Sequence, residues 1–163
     1  MRRYQLLIAA AVLLLDRVTK LLVMVRLPEA HSISLVPGLF QLSHWENTGA
    51  AFSMFAESTS RWRTAGLIAF SLAAIAVVLI LLHRTGPQLT PTTVALSLVL
   101  GGAAGNLWDR ATKGTVTDFL DFYIGDHHWP PFNVADSAIV VGALLLMITV
   151  LLPPSSSSAR REH

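Results

Sequence analysis

Four apolar stretches, each about as long as a helix needs to cross a bilayer, constrain this chain more than any other feature. They fall at about 5–25, 64–83, 91–109 and 134–152. A helix of roughly 20 residues spans the ~30 Å hydrocarbon layer, where no water is at hand to satisfy backbone N–H and C=O groups. The pattern therefore predicts an all-α membrane protein, a bundle of four transmembrane helices, with a small β part between helices 1 and 2. Composition agrees: 53% of the 163 residues are hydrophobic and 13% are charged, about half the charge of an ordinary soluble domain. Residues 1–153 read as a single membrane domain, and 154–163, "PSSSSARREH", as a polar disordered tail. The opening "MRRYQLLIAAAVLLLD" has the arginines and apolar run of a signal peptide. Because "LLVMV" extends that run beyond Lys20, it is read as a retained first helix.

Several function classes drop out at once. A net charge of +2 with no basic block argues against a nucleic-acid partner. The absence of cysteine removes disulfides, thiolate catalysis and thiolate metal sites. His127 and His128 are adjacent and no HExxH spacing occurs, so neither a metal nor a cofactor is expected.

The loops carry the remaining information. In "HSISLVPGLFQLSHW", Ile33 and Leu35 alternate with serines, Pro37-Gly38 marks a turn, and Phe40, Leu42 and His44 alternate again; that is a hairpin signature. With four spans, the first and third loops share one side of the membrane. That side then receives Asn47, Asp109, Arg110, Asp118, Asn133 and Asp136, while Asp16 lies ~17 Å into the first span, in the half nearer the same side. Lys and Arg divide evenly between the two sides. The arginines opening the first helix and the basic short loop place the termini in the cytoplasm.

Each of these residues has a bland reading beside a chemical one. Asp16 and Lys20 stand four apart on one helix face and suit an intrahelical ion pair; alternatively Asp16 supports a site by bonding to a neighbouring segment. Asn47 in "NTGAAFS" suits a turn. Asn106 and Asp109 share a stripe with Gly102, and ionisable groups at such depth point to function. Asn133-x-x-Asp136 has the form of a helix cap. Asp121 and Asp126 read as solvated loop charges. Asp118 and Asp136 are the two acids placed where a loop re-enters the membrane surface. Two carboxyls facing each other there would share a proton, one activating water while the other protonates the leaving nitrogen. The competing reading is a small proton-coupled transporter or channel. The nearly pure apolar second span and inner halves of the others weigh against a conduction path.

"DRVTK", "NTGAAFS", "GGAAGNLWDR", "VTDFLDFY" and "FNVADSAI" stand in the order and spacing of the lipoprotein signal peptidases, and from about residue 4 to 152 the chain resembles that signal peptidase II family. The resemblance implies a bacterial inner-membrane aspartyl endopeptidase that cuts the signal peptide from prolipoproteins just before the cysteine bearing diacylglycerol. It implies Asp118 and Asp136 as the catalytic dyad, with Asp16, Lys20, Asn47, Asn106, Asp109, Arg110 and Asn133 at supporting or substrate-binding positions. The partners it implies are the diacylglyceryl-prolipoprotein and membrane lipid, with the enzyme acting as a monomer and its site at the outer face. "HSISLVPGLFQLSHWENTGAAFS" is similar to the family's β-cradle. Trp108, where Tyr is usual, and "HHWPPF" are minor departures.

Overall fold

Capping chemistry sets the starts of two helices. Thr90 accepts from Thr93 N–H and Thr93 returns the bond to Thr90 N–H, with Pro91 in the first turn, where a missing N–H costs nothing. Asn133 and Asp136 form the same reciprocal box. In the computed structural model, which describes residues 2–49 and 60–152, the elements run α1 (Arg3–Arg26), β1 (Ser32–Val36), β2 (Phe40–Asn47), α2 (Ser60–Thr85), α3 (Pro91–Lys113), β3 (Val116–Ile124), β4 (His127–His128) and α4 (Val134–Leu151). The polar tail and residues 50–53 of "NTGAAFS" lie outside the described residues.

The chain is mostly helical, and α3 is the helix the others share: α1, α2 and α4 all pack against it. Glycine permits this. A Cβ at Gly101 would come 2.6 Å from the Ala9 carbonyl oxygen of α1, and one at Gly102 would run into the Ala135 carbonyl of α4. The small-residue run of α3 is thus filled by the protein's own helices. Ala9, Val78, Leu82, Leu96 and Leu100 form the apolar contact at the end near the termini. There Gln5 Nε2 donates to the carbonyls of Gly86 (3.0 Å) and Gln88 (3.1 Å), tying α1 to the α2–α3 turn.

Two helices, over Trp62–Thr85 and Val134–Leu151, are long and apolar enough to cross a membrane. The expectation of four such spans is met only in part. α1 carries Asp16, Arg17 and Lys20 in its middle, and the glycines and Asn106 of α3 dilute its apolar character. The distribution of side chains is inverted relative to a soluble domain. The largest fully buried side chains are Lys20, Gln5, Asn133, Thr93, Thr117, Asp16 and Asp109, whereas Phe70, Leu79, Val140 and Val150 are exposed. In water, burying the former and exposing the latter would both be unfavourable.

The hairpin forms as expected, turning at Pro37-Gly38 with Gly38 at φ 80°. The third loop, between α3 and α4, carries strands of its own. Nine of its residues form β3, which pairs antiparallel with β2 in a four-stranded sheet of order β1-β2-β3-β4. This pairing brings the first and third loops together at one end of the helices. Val23, Leu27 and Phe119, with Leu42 and Val134 around them, fasten the sheet to α1 and α4.

Candidate active site

β3 delivers Asp118 through an irregularity. The N–H groups of Phe119 and Leu120 both donate to the single carbonyl of Phe132 (3.0 and 2.8 Å), so two residues oppose one. A bulge of this kind re-aims side chains on the bulged strand. α4 delivers Asp136 from its first turn, where the residue also completes the cap. Asn133 joins the two carboxylates. Its Nδ2 donates to Asp118 Oδ1 (2.7 Å), its backbone N–H to Asp136 Oδ2 (3.3 Å), and its Oδ1 accepts from the Asp136 N–H (2.9 Å). The cap reading and the site reading of Asn133 and Asp136 therefore describe the same bonds.

Two further amides complete the inner layer. Asn47 Nδ2 donates to Asp118 Oδ2 (2.9 Å), and Asn47 Oδ1 accepts from Gly49 N–H (2.8 Å), which fixes that amide's orientation. Asn106 Nδ2 donates to Asp136 Oδ1 (2.7 Å). Asn106 Oδ1 accepts from Lys20 Nζ (3.2 Å) and from Asn133 Nδ2 (3.3 Å).

Beneath these lies an ionic layer. Asp16 pairs with Lys20 (2.9 Å), as the four-residue spacing suggests, and its other oxygen accepts the Ala135 N–H at the start of α4 (3.1 Å). Lys20 also pairs with Asp109 (2.8 Å), and Arg17 bridges Asp109 (2.7 Å) and Asp16 (3.1 Å). A Cβ on Gly105 would stand 2.7 Å from Asp16 Oδ2, so only glycine leaves room for this layer. Arg110 is not brought to the carboxylates; it donates to Ser71 Oγ of α2 at 3.4 Å.

Three contacts have no counterpart in the sequence reading. Arg17 bridges α1 to α3. Glu46 collects hydroxyl donations from Thr115 and Thr117 (the latter at 2.8 Å) and an ion pair with Lys113 at 3.4 Å. Burial opposes ionisation of Glu46, but these donors outweigh it and hold its carboxyl below the usual range. Asp121, expected in solvent, is 2% exposed and bonds Gln41 (2.6 Å) and His128 (2.9 Å). Knowledge of the β2–β3 register would have found the last two; spacing along the chain alone does not.

Burial raises the Asp118 carboxyl most, the Asn47 hydrogen bond works against it, and the negative charge of Asp136 raises it again, leaving a value of about 6. The residue is 3% exposed. Even so, it borders a groove of about 520 Å³ shared with Gln41, Trp45, Glu46, Asn47, Thr48, Asp121, His128, Pro130 and Pro131. The arrangement is two neighbouring carboxyls, one of elevated affinity for protons, at the edge of an open groove; it suits general acid–base chemistry. Among the described residues no group of three or more His, Cys, Asp or Glu side chains is placed to hold a metal ion.

The family model described as Signal peptidase (SPase) II matches residues 8–152. Lipoprotein signal peptidases of Solibacter usitatus and Geobacter metallireducens are 47% and 45% identical to the chain. Each match covers 83% of this chain, and it covers 83% and 82% of the relatives, respectively. Two solved structures of a bacterial membrane enzyme, obtained by the in meso method, superpose with TM-scores of 0.81 and 0.79 at 27% identity. They cover 92% and 98% of this chain and 94% of each solved chain. With its fold, its paired carboxyls and these relatives all in agreement, the chain belongs to the signal peptidase II family.

Proposed function

We propose that this chain, which as a signal peptidase II removes signal peptides from prolipoproteins, does so as an aspartic endopeptidase, cutting before the diacylglyceryl-bearing cysteine. The observation that carries the reading is the attachment of Asp118 and Asp136 to the same asparagine, Asn133, one from a strand and one from the start of an apolar helix. Below about pH 6 the Asp118 carboxyl holds the proton.

In the proposed reaction Asp136 takes a proton from water as the oxygen attacks the scissile carbonyl, and Asp118 protonates the carbonyl oxygen. The resulting diol collapses as Asp136 returns a proton to the leaving nitrogen, the C–N bond breaks, and Asp118 recovers the diol proton. The dyad ends as it began, and nothing beyond water is consumed. Asn47, Asn106 and Asn133 orient the carboxyls, while Asp16, Lys20 and Asp109 orient Asn106 and the start of α4. The family resemblance puts Arg110 at a supporting or substrate-binding position; among the described residues it donates to Ser71 Oγ.

The same proposal places residues 1–153 in one domain of four spans in the bacterial inner membrane. Its termini are cytoplasmic, its dyad lies at the outer face, and it acts as a monomer on a substrate arriving through the lipid. The outward apolar side chains and buried polar ones support that environment, and the need for water favours a site at one end of the helices. The deciding experiment is cleavage of diacylglyceryl-modified against unmodified precursor by the wild type, Asp118→Asn and Asp136→Asn proteins. Only the wild type with the modified precursor should turn over; full turnover by either variant would remove the dyad.

A further inference from the structure

We infer that His128, held in place by Asp121, positions the substrate's peptide chain in the groove beside the dyad; the inference rests on the function proposed above. Asp121 lies three positions after Asp118, a spacing that in a regular strand puts the two on opposite faces. The bulge at Phe119 and Leu120 cancels that alternation, and both acids border the same groove. Asp121 is 2% exposed and fully engaged: Gln41 Nε2 donates to one oxygen at 2.6 Å and His128 Nδ1 to the other at 2.9 Å.

A carboxylate only accepts, so the imidazole must carry its proton on Nδ1. Nε2 is then left with no protein partner among the described residues. The ring is held a second time by stacking on Tyr123, with centroids 5.0 Å apart and planes at 9°. Yet the His128 side chain is 44% exposed. With one partner this exposed the pair is weakened by solvent, a poor return for burying the Asp121 carboxylate. Fixing an exposed ring in one tautomer and one orientation is instead what a binding group needs, because the ordering cost is met before the ligand arrives. With the ring's proton on Nδ1, Nε2 accepts a hydrogen bond, and an extended substrate segment leaving the scissile bond along the groove presents backbone N–H donors.

The test uses full-length protein in detergent micelles and diacylglyceryl-modified precursor peptides, shortened in two series from either side of the cleavage site. His128→Ala should raise KM about three- to tenfold, the worth of one hydrogen bond, with kcat little changed. The penalty should vanish within one series once the residue meeting His128 has been removed. His128→Gln, which keeps an acceptor, should recover most of the affinity, and Asp121→Asn should fall between. An unchanged KM in His128→Ala, or a penalty equal at every precursor length, overturns the inference. Asp118→Asn run alongside separates the two failures: its inactivity upholds the dyad whatever His128 does.

Discussion

Asp118→Asn tests the electrostatics of the site independently of any cleavage assay. The Asp118 carboxyl is raised from an ordinary 3.8 to about 6; at about 1.4 kcal/mol per pH unit, that is up to about 3 kcal/mol. The folded state holds the proton more tightly than the unfolded chain, so this stabilisation is full below about pH 4 and is lost as pH rises through 6. The asparagine variant, uncharged at every pH like the protonated carboxyl, escapes this loss but has a constant defect. Both amides facing residue 118 are locked as donors, Asn47 by Gly49 N–H and Asn133 by Asp136 N–H. The new NH2 must therefore oppose one of them, at a cost of about 1–3 kcal/mol. At pH 4 the variant is expected to be the less stable protein by that amount, and by pH 7.5 to equal or exceed the wild type. Reversible unfolding in detergent at several pH values measures the difference. A wild-type-minus-variant gap that stays constant, or widens in favour of the wild type as pH rises, refutes the elevated carboxyl.

The same elevation predicts that wild-type kcat/KM, which reports the free enzyme, falls as pH rises above about 6 because the dyad loses its shared proton; a pH–rate profile checks it. Gly102→Val should cost about 1–3 kcal/mol, the scale of overpacking, because its Cβ meets the Ala135 carbonyl. It should also lower kcat, since Asp136 lies in the same turn of α4; denaturation and turnover are read on one preparation. Lys20→Met leaves Asp16 and Asp109 short of a buried partner and should destabilise by about 3–5 kcal/mol. Adding Asp16→Asn should recover part of the stability measured by unfolding but not the turnover.

How far the sequence could be read depended on whether the signal was local. Helix positions were legible because apolar runs and caps are local; α1, α2, α3 and α4 each contain nearly all of the stretch predicted for them. The β1–β2 hairpin was legible from alternation about Pro37-Gly38. β3 was not, because the bulge at Phe119–Leu120 breaks the period of two that identifies a strand, leaving Asp118 and Asp121 looking like loop acids. The site residues drew notice because charge in an apolar chain is expensive. Their pairing depends on register and helix rotation, which no spacing encodes: Asp16 was placed with Lys20, but its bond to Ala135 N–H and the reach of Arg17 to Asp109 came only with the fold.

The ionic layer is better explained by orientation than by stability. Buried ion pairs often do no better than well-packed apolar side chains, so Asp16, Lys20 and Asp109 need another reason to be where they are. Lysine has three N–H donors and no acceptor, and here those three donors meet Asp16, Asp109 and the Asn106 side-chain oxygen. The third contact dictates which way the Asn106 amide turns. With its oxygen on Lys20, its NH2 must face Asp136 and donate at 2.7 Å. An apolar residue at position 20 would leave only the Asn133 Nδ2 donor, at 3.3 Å, to hold that oxygen away from the carboxylate, whose charge it would repel if the amide turned. Asp16 acts on the same carboxyl by another route, fixing the first turn of α4 through Ala135 N–H. Charges deep among the helices thus set the direction of one amide and one helix start, and through them the position of Asp136.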